Sequence, residues 1–179
     1  GKVAPLRKEL GVRTIFNMLG PLCNPAGASR MVVGVFNQQL TELFAAALKE
    51  LGVKHALVVC GNDGLDEISC CDTTRVSELK DGVIKNYEIY PELLLGESFS
   101  PEEIAGGEAI VNARILRNVL EGRERSACRA VVLLNAGAAC YVGGIAQSIQ
   151  DGIKLAEKSI DEGKAAEKLE VLIKESQGQ

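Results

Sequence analysis

The sequence predicts an α/β domain in which a sheet of mainly parallel strands is flanked by helices. Apolar runs at 31–36 and 55–60 enclose an amphipathic segment at 40–51, and this strand, helix and strand order is typical of a parallel sheet. Two further strand-like segments follow, and helical patterns dominate from residue 101 onward. These observations together indicate a sheet that is covered by helices.

The first predicted elements are a short helix and a loop rich in turns. Val3–Leu10 has helical spacing and is followed by Gly11, a common helix terminator. The stretch 19–28, Leu-Gly-Pro-Leu-Cys-Asn-Pro-Ala-Gly-Ala, contains too much glycine and proline for a regular element, so we predict an irregular loop. Loops held by ordered segments often carry function, which makes this stretch a candidate binding loop.

The central strand, helix and strand unit has a clear pattern in each part. Its helix presents apolar residues at helical spacing before Gly52, namely Leu40, Leu43, Phe44, Ala47, Leu48 and Leu51. His55–Cys60 is almost continuously apolar, which predicts a strand covered on both faces. Nothing near His55 in the sequence suggests a catalytic pair, so we predict a structural histidine.

The second half of the chain predicts a hairpin and then helices. Thr73–Leu79 and Val83–Tyr90 flank a Lys-Asp-Gly turn and are predicted to form a hairpin at the margin of the sheet. Residues 130–134 fit a strand or a helix, and the small residues at 135–139 favour a tightly packed helix. Three helical stripes are Val111, Ile115, Leu116, Val119 and Leu120; Ile145, Ile149, Ile153, Ala156 and Ile160; and Ala165, Leu169, Leu172 and Ile173.

Charge and composition argue against several classes of protein. The net charge of −4 argues against a nonspecific nucleic-acid binder, which would normally carry a basic stripe. No signal peptide or long apolar stretch appears, so we expect a cytoplasmic protein without a membrane span. The six cysteines form no Cys-x-x-Cys pair and only one histidine accompanies them, which favours reduced, buried thiols over a structural zinc site.

Adjacent carboxylates follow the second predicted strand. Asp66 and Glu67 lie in the run Gly-Asn-Asp-Gly-Leu-Asp-Glu, at the carboxyl end of His55–Cys60, where ligands gather in open α/β sheets. Carboxylate oxygens suit Mg²⁺, which uses one or two protein carboxylates together with water and substrate phosphates. The alternatives are an exposed acidic turn, or Asp66 capping a following helix.

Several motifs resemble one family of enzymes. The stretch 10–26, Leu-Gly-Val-Arg-Thr-Ile-Phe-Asn-Met-Leu-Gly-Pro-Leu-Cys-Asn-Pro-Ala, closely resembles a motif of the anthranilate phosphoribosyltransferases, in which threonine usually stands at the position of Cys23. The Gly-Leu-Asp-Glu at 64–67 resembles the acidic metal motif of that family. Gly106-Gly107 with Asn112-Ala113, and Val132-Leu-Leu-Asn-Ala136, match further family blocks. The resemblance covers essentially the whole chain.

The resemblance implies a fold, a reaction and a set of site residues. The implied fold is the nucleoside phosphorylase and phosphoribosyltransferase type of α/β domain. The implied reaction is the Mg²⁺-dependent transfer of phosphoribosyl from phosphoribosyl pyrophosphate (PRPP) to anthranilate in tryptophan biosynthesis. Arg7 would bind the anthranilate carboxylate, Gly20 would contact the flat ligand, and Asp66 and Glu67 would bind the metal. The alternatives are a solvated cation at Arg7 and an ordinary turn at Gly20, and no residue is assigned as a catalytic acid or base.

The resemblance also implies a longer enzyme. In the family, a helical domain and a glycine-rich PRPP loop precede this region, so we expect residues 1–179 to be a partial α/β domain truncated at its N-terminus and inactive alone. The family forms homodimers mainly through that helical domain. Two alternatives share the fold: an enzyme like the pyrimidine nucleoside phosphorylases, which should lack the motifs at 13–17 and 19–22 together, and a non-catalytic nucleic-acid-binding relative, which should be strongly basic.

Overall fold

The computed structural model describes residues 16–178, with side chains from residue 19 onward, so the predicted helix Val3–Leu10 lies outside the described residues. The elements are α1 (Phe16–Leu22), β1 (Arg30–Gly34), α2 (Leu40–Glu50), β2 (His55–Gly61), β3 (Thr74–Lys80), β4 (Val83–Ile89), α3 (Pro91–Leu95), a 3₁₀ helix (Pro101–Ile104), α4 (Ala109–Leu120), α5 (Ala127–Gly143), α6 (Ile149–Asp161) and α7 (Lys164–Gln177). Within residues 16–178, no helix combines the length and the apolar character that a membrane span requires.

The four described strands form one sheet in the order β1, β2, β3, β4. Strands β1 and β2 are parallel, with Val33 opposite Val58, whereas β2 with β3 and β3 with β4 are antiparallel. The predicted α/β class and the marginal hairpin are confirmed, but the described part of the sheet is mixed rather than mainly parallel. The reason is that no crossover helix joins β2 to β3, so the chain returns in the opposite direction.

Strand β2 forms the centre of the core, and all seven of its residues are buried. On one face of the sheet, Phe44 and Leu48 of α2 pack against Val58. On the other face, Leu134 of α5 packs with Leu57 in a second apolar cluster. Burying each such side chain contributes roughly 1.5–3 kcal/mol, so the predicted two-sided burial of this strand accounts for much of the stability of the sheet.

The segment that fitted either a strand or a helix is helical. Helix α5 begins after Ser126, whose Oγ accepts a hydrogen bond from the Cys128 N–H, and it ends at Gly144 in the left-handed conformation. Its small residues allow α6 to approach closely, because a methyl group added at Gly152 would overlap the Gly137 carbonyl. The prediction of a tightly packed helix is therefore confirmed.

Two predicted boundaries were wrong. The irregular loop begins at Cys23 rather than at Leu19, because α1 continues through Leu22 and the Cys23 N–H donates to the Leu19 carbonyl at 2.9 Å. The stripe that was predicted to start at Ile145 belongs to a helix that starts at Ile149. Ser148 sets that start by accepting a hydrogen bond from a backbone N–H of the first turn, and Ile145 is 71% exposed outside the helix.

A buried polar cluster, here called the Glu78 cluster, lies at the amino end of β2 and consists of Glu78, His55, Tyr87 and Tyr141. One Glu78 oxygen lies 2.9 Å from His55 Nε2 and accepts a 2.8 Å hydrogen bond from the Tyr141 hydroxyl, and the other accepts one from Tyr87 at 3.1 Å. Burial alone would raise the pKa of Glu78, but these hydrogen bonds outweigh burial and hold the pKa below its ordinary value. The prediction that His55 is structural is confirmed.

Candidate functional site

The segment 62–73, here called the acidic loop, connects the carboxyl end of β2 to β3. It therefore lies at the edge of the sheet where parallel β1 and β2 end, the usual ligand position in α/β folds. Asp66 and Glu67 lie in this loop and both are exposed. Among the described residues, no hydrogen bond or ion pair engages either carboxylate. Both groups are accessible to a ligand from solvent.

The alternative that Asp66 caps a helix is wrong. The residues from Asp66 to Thr73 form bends and irregular backbone, and the next regular element is strand β3. Two carboxylates that neither cap a helix nor form an ion pair receive no stabilisation from the described protein. The contacts that hold the loop backbone therefore decide where these carboxylates lie.

Hydrogen bonds that involve Asp63 and Ser69 hold the loop together internally. One oxygen of Asp63 accepts from the Leu65 N–H at 3.1 Å, and the other accepts from the Ser69 hydroxyl at 2.5 Å. The Ser69 N–H in turn donates to Thr74 Oγ1 at 3.0 Å, at the start of β3. Asp63 was not among the predicted site residues, although an aspartate in an Asn-Asp-Gly turn commonly accepts a hydrogen bond from the backbone two residues on.

The end of strand β1 contacts the acidic loop directly. A methyl group added at Gly34 would overlap the Asp66 carbonyl group, so only glycine permits this approach of the two backbones. At the end of β2, the Gly61 N–H donates to the Leu65 carbonyl at 2.8 Å. The ends of both parallel strands therefore support the residues that precede Glu67. This support depends on packing between segments that are distant in the sequence, so local sequence patterns do not predict it.

Asn135 of α5 holds the other side of the loop. Its Oδ1 accepts a hydrogen bond from the Ile68 N–H at 3.0 Å, and its Nδ2 donates to the Ile68 carbonyl and to the Val131 carbonyl, each at 2.9 Å. Asn135 therefore ties its helix to the backbone of the loop. The bonded backbone belongs to Ile68, the residue immediately after Glu67.

A cleft of about 480 Å³ lies beside the end of β1, where Gly34 contacts the acidic loop. Its lining includes Gly20 and Pro21 from α1, Asn24 from the following turn, and Gly34 from the end of β1. Outside the backbone of its own helix, no atom of the described residues lies within 4 Å of the position that a Gly20 Cβ would occupy, so among those residues Gly20 leaves open space on its side of the cleft. Gly20 is helical and does not use the positive φ for which glycine is often required. Gly34 joins the two predicted site segments, because it lines the cleft and contacts Asp66.

The predicted anthranilate-binding residue Arg7 lies outside the described residues. Of the other three predicted site residues, Gly20 lines the cleft, and Asp66 and Glu67 lie in the loop that Gly34 contacts. Their binding roles stay predictions. Arg7 stays a prediction from the resemblance.

The thiols near the acidic loop have raised pKa values. Burial, together with a hydrogen bond to Cys71, raises the pKa of Cys70 to about 12. Burial and the charges of Asp63 and Asp66 raise the pKa of Cys60. Across residues 16–178, no group of three or more histidine, cysteine, aspartate or glutamate side chains is arranged to hold a metal ion. Any cation at Asp66 and Glu67 would therefore take its remaining ligands from elsewhere.

Comparison with known proteins identifies the family. Residues 1–166 match the model of the "Glycosyl transferase family, a/b domain". The chain belongs to this family. It is 56% identical over 171 residues to an anthranilate phosphoribosyltransferase of Syntrophobacter fumaroxidans, covering 96% of this chain and 50% of the relative. This chain and the matched half of the relative therefore share more than half of their aligned residues.

Solved structures agree with this assignment. The anthranilate phosphoribosyltransferase of Thermus thermophilus is 40% identical with a TM-score of 0.85, over 94% of this chain and 49% of that one. The Saccharomyces cerevisiae enzyme in complex with 4-fluoroanthranilate is 29% identical with a TM-score of 0.87, over 99% and 51%. The same yeast enzyme in complex with PRPP and Mg has 30% identity and a TM-score of 0.83, over 94% and 48%. The predicted phosphoribosyltransferase type of domain is confirmed, and the chain spans about half the length of the relatives it matches.

Proposed function

We propose that this chain forms part of an anthranilate phosphoribosyltransferase of tryptophan biosynthesis. In the proposed reaction, the amine of anthranilate attacks C1 of the PRPP ribose and the bond from C1 to the diphosphate oxygen breaks. The diphosphate leaves with the electron pair, and the proton lost by the nitrogen passes to solvent. The observation that carries the proposal is the exposed, unpaired Asp66–Glu67 pair at the carboxyl edge of parallel β1 and β2, beside the Gly20 cleft.

Asp66 and Glu67 are the residues that would hold Mg²⁺. The donor set fits this ion, because both groups are hard carboxylates and no third acidic, histidine or cysteine ligand joins them within the described part of the chain. The rest of a six-oxygen shell is then left to water and to diphosphate oxygens. When bound, the ion would offset the charge that develops on the leaving diphosphate. A yeast relative that was solved with PRPP and Mg supports this choice of metal.

The acceptor would bind on the other side of the cleft. We propose that the guanidinium of Arg7 pairs with the anthranilate carboxylate through two parallel hydrogen bonds, and that Gly20 leaves room for the flat ring. A relative solved with 4-fluoroanthranilate supports an aromatic carboxylate as acceptor. Arg7→Ala tests the first role: losing a charge-assisted bond of roughly 2–3 kcal/mol should weaken anthranilate binding about 30- to 150-fold. An unchanged KM for anthranilate in a folded variant would remove Arg7 from the site.

The proposed reaction needs little acid or base catalysis from the protein. The amine is already a nucleophile, so the residues named above would contribute by fixing the reactants and by holding the cation that offsets the charge of the leaving group. This agrees with a site of carboxylates, an arginine and glycines without a histidine. We propose no residue as a catalytic acid or base.

A chimera provides the test of the proposed function. Residues 1–179 replace the matched half of the Syntrophobacter relative, and loss of anthranilate fluorescence is followed with PRPP and Mg²⁺. We expect PRPP-dependent and Mg²⁺-dependent turnover in the chimera, and none in the isolated 179-residue chain, which spans half the length of that relative. A folded chimera that instead splits thymidine with phosphate and leaves anthranilate unchanged would support the phosphorylase alternative and overturn the proposal.

We further propose that the whole protein is a cytoplasmic homodimer, as the resemblance implies. Light scattering on the full-length protein measures its mass, and a mass of one subunit at micromolar concentration would contradict the dimer.

A further inference from the structure

We propose that Asn135 is a positioning residue for the candidate metal site, because its side-chain amide holds the acidic loop so that Asp66 and Glu67 share one cation. This inference rests on the proposed function. It adds to that function a residue of α5 that has no contact with substrate or metal.

The contact between Asn135 and the loop occupies both polar groups of one peptide residue. The Ile68 N–H donates to Asn135 Oδ1 at 3.0 Å and the Ile68 carbonyl accepts from Nδ2 at 2.9 Å, so the amide pairs with the backbone as a neighbouring strand would. A further 2.9 Å bond from Nδ2 to the Val131 carbonyl fixes the amide on its own helix. The Ile68 side chain is fully buried in the apolar cluster that also contains Leu134. Ile68 is therefore anchored through its backbone and through its side chain.

The position of the carboxylates depends on such anchors. The side chains of Asp66 and Glu67 make no hydrogen bond or ion pair with the described residues, so only the backbone on either side fixes them. On the N-terminal side, Gly34 packs against the Asp66 carbonyl group. On the C-terminal side, the first anchor is Asn135 at Ile68. Loss of this anchor would let Glu67 move relative to Asp66, and two carboxylates bind one small cation well only when their separation is held.

The chemistry of the amide suits this position. An amide both accepts from the N–H and donates to the carbonyl of one residue, and it adds no negative charge near two carboxylates that must attract a cation. Asn135→Asp keeps the acceptor but loses the donor to the Ile68 and Val131 carbonyls. Asn135→Leu has a similar volume and loses every hydrogen bond. Asn135→Asp therefore removes the anchor in part, and Asn135→Leu removes it in full.

The test measures Mn²⁺ binding to the full 179-residue chain in the presence of inorganic diphosphate, by the electron paramagnetic resonance signal of free Mn²⁺. Asn135→Leu should weaken binding about 10-fold, the lower end of the effect expected for residues behind metal ligands, and Asn135→Asp should weaken it by less. The matched control on the same helix is Arg129→Met. It removes a buried arginine that pairs with Asp161 at 2.8 Å and so disturbs α5 without touching the acidic loop. We expect this control to leave Mn²⁺ binding unchanged.

Two further measurements separate positioning from general stabilisation. Without metal, hydrogen exchange of the Ile68 amide should accelerate in Asn135→Leu, should accelerate less in Asn135→Asp, which keeps the acceptor of this N–H, and should not accelerate in the Arg129 control. In a chain that already carries Asp66→Asn and Glu67→Gln, Asn135→Leu should cause no further loss of Mn²⁺ binding. If the role of Asn135 were merely structural, Asn135→Leu would destabilise the chain, and its effect would not depend on the two carboxylates.

The outcomes distinguish this inference from the proposed function. If the unaltered chain binds Mn²⁺ with diphosphate and both folded Asn135 variants bind it equally well, the positioning role is overturned and the metal site stands. If Asn135→Leu does not fold, Asn135→Asp decides by the same criterion. If the unaltered chain binds no better than the Asp66→Asn, Glu67→Gln chain, the proposed metal site fails and the positioning role fails with it.

Discussion

Carboxylates lie near both ends of strand β2, in opposite environments. At the amino end, Glu78 is only 9% exposed and takes part in contacts with His55, Tyr87 and Tyr141. At the carboxyl end, Asp66 and Glu67 are exposed and engage no donor among the described residues. The same functional group thus serves the fold at one end and is accessible to a ligand at the other.

The difference follows from the cost of burying a charge. A buried carboxylate is tolerated only when hydrogen bonds replace its water, and the three donors around Glu78 provide them. Water solvates Asp66 and Glu67, so they need no partner from the protein. A carboxylate that already accepts several hydrogen bonds has little left to offer a cation, whereas one that accepts none keeps its lone pairs for metal coordination. Variants at the carboxyl end of β2 should therefore affect metal binding and catalysis, whereas variants at the amino end should affect the free energy of unfolding.

The largest expected effect is on catalysis at the acidic loop. In the chimera, Asp66→Asn together with Glu67→Gln should lower kcat/KM for PRPP by at least about 100-fold, because neutral amides replace the charges proposed to hold Mg²⁺. The free energy of unfolding should change by less than about 0.5 kcal/mol, as for other exposed positions. Steady-state kinetics and urea unfolding measure the two quantities. Unfolding of this variant with normal activity in its folded fraction would make the pair structural.

The Glu78 cluster should give the reverse pattern. Glu78→Gln places an amide among three groups that were arranged around a carboxylate, and should lower the free energy of unfolding by on the order of 3 kcal/mol. Mn²⁺ binding in the presence of diphosphate should stay at its normal affinity in the folded chain. Urea unfolding and a metal titration test this pair of results, and weakened metal binding would show that the two ends of β2 are coupled.

A smaller effect is expected where β1 touches the acidic loop. Gly34→Ala introduces a methyl group that overlaps the Asp66 carbonyl group, so the loop must shift; we expect about 1–3 kcal/mol of destabilisation and weaker Mn²⁺ binding. Gly143→Ala is the matched control, because outside its own helical backbone no atom of the described residues lies within 4 Å of the added methyl group, and its φ is not positive. This control should be neutral or slightly stabilising. Equal metal affinity in both alanine variants would contradict the importance of the Gly34 contact.

The smallest expected effect is a pH dependence of stability. Because the pKa of Glu78 is held below its ordinary 4.5 in the folded protein, this residue contributes stability above about pH 4.5. The contribution is lost as the pH falls through the lower, folded pKa. The free energy of unfolding, measured in urea, should therefore decrease between pH 7 and pH 3. This decrease should be smaller in Glu78→Gln and should be retained in the Asp66→Asn, Glu67→Gln chain. The same slope in all three proteins would assign the decrease to other groups.

Much of the fold could be predicted from local patterns. The helix after β1, the buried strand at His55 and the hairpin at 74–89 were expected from apolar spacing and a Lys-Asp-Gly turn, and each is present. The exact helix ends were harder to predict. Continuation of α1 through Leu22 depends on backbone hydrogen bonds that glycine and proline content does not reveal. The antiparallel direction of β3 likewise depends on the connection between β2 and β3 and not on amino-acid composition.

The sequence by itself determined which side chains can carry the chemistry. Adjacent carboxylates after an apolar strand indicated a hard-cation site, and the motif at 10–26 indicated the family, since both depend on residue type and short spacing alone. Only the tertiary structure decided how these carboxylates are held. Gly34 and Asn135 lie 32 and 69 residues from Asp66 and contact the loop because the sheet and α5 pack around it. Such contacts depend on how distant segments meet, whereas a strand or a helix depends on the period of its own residues.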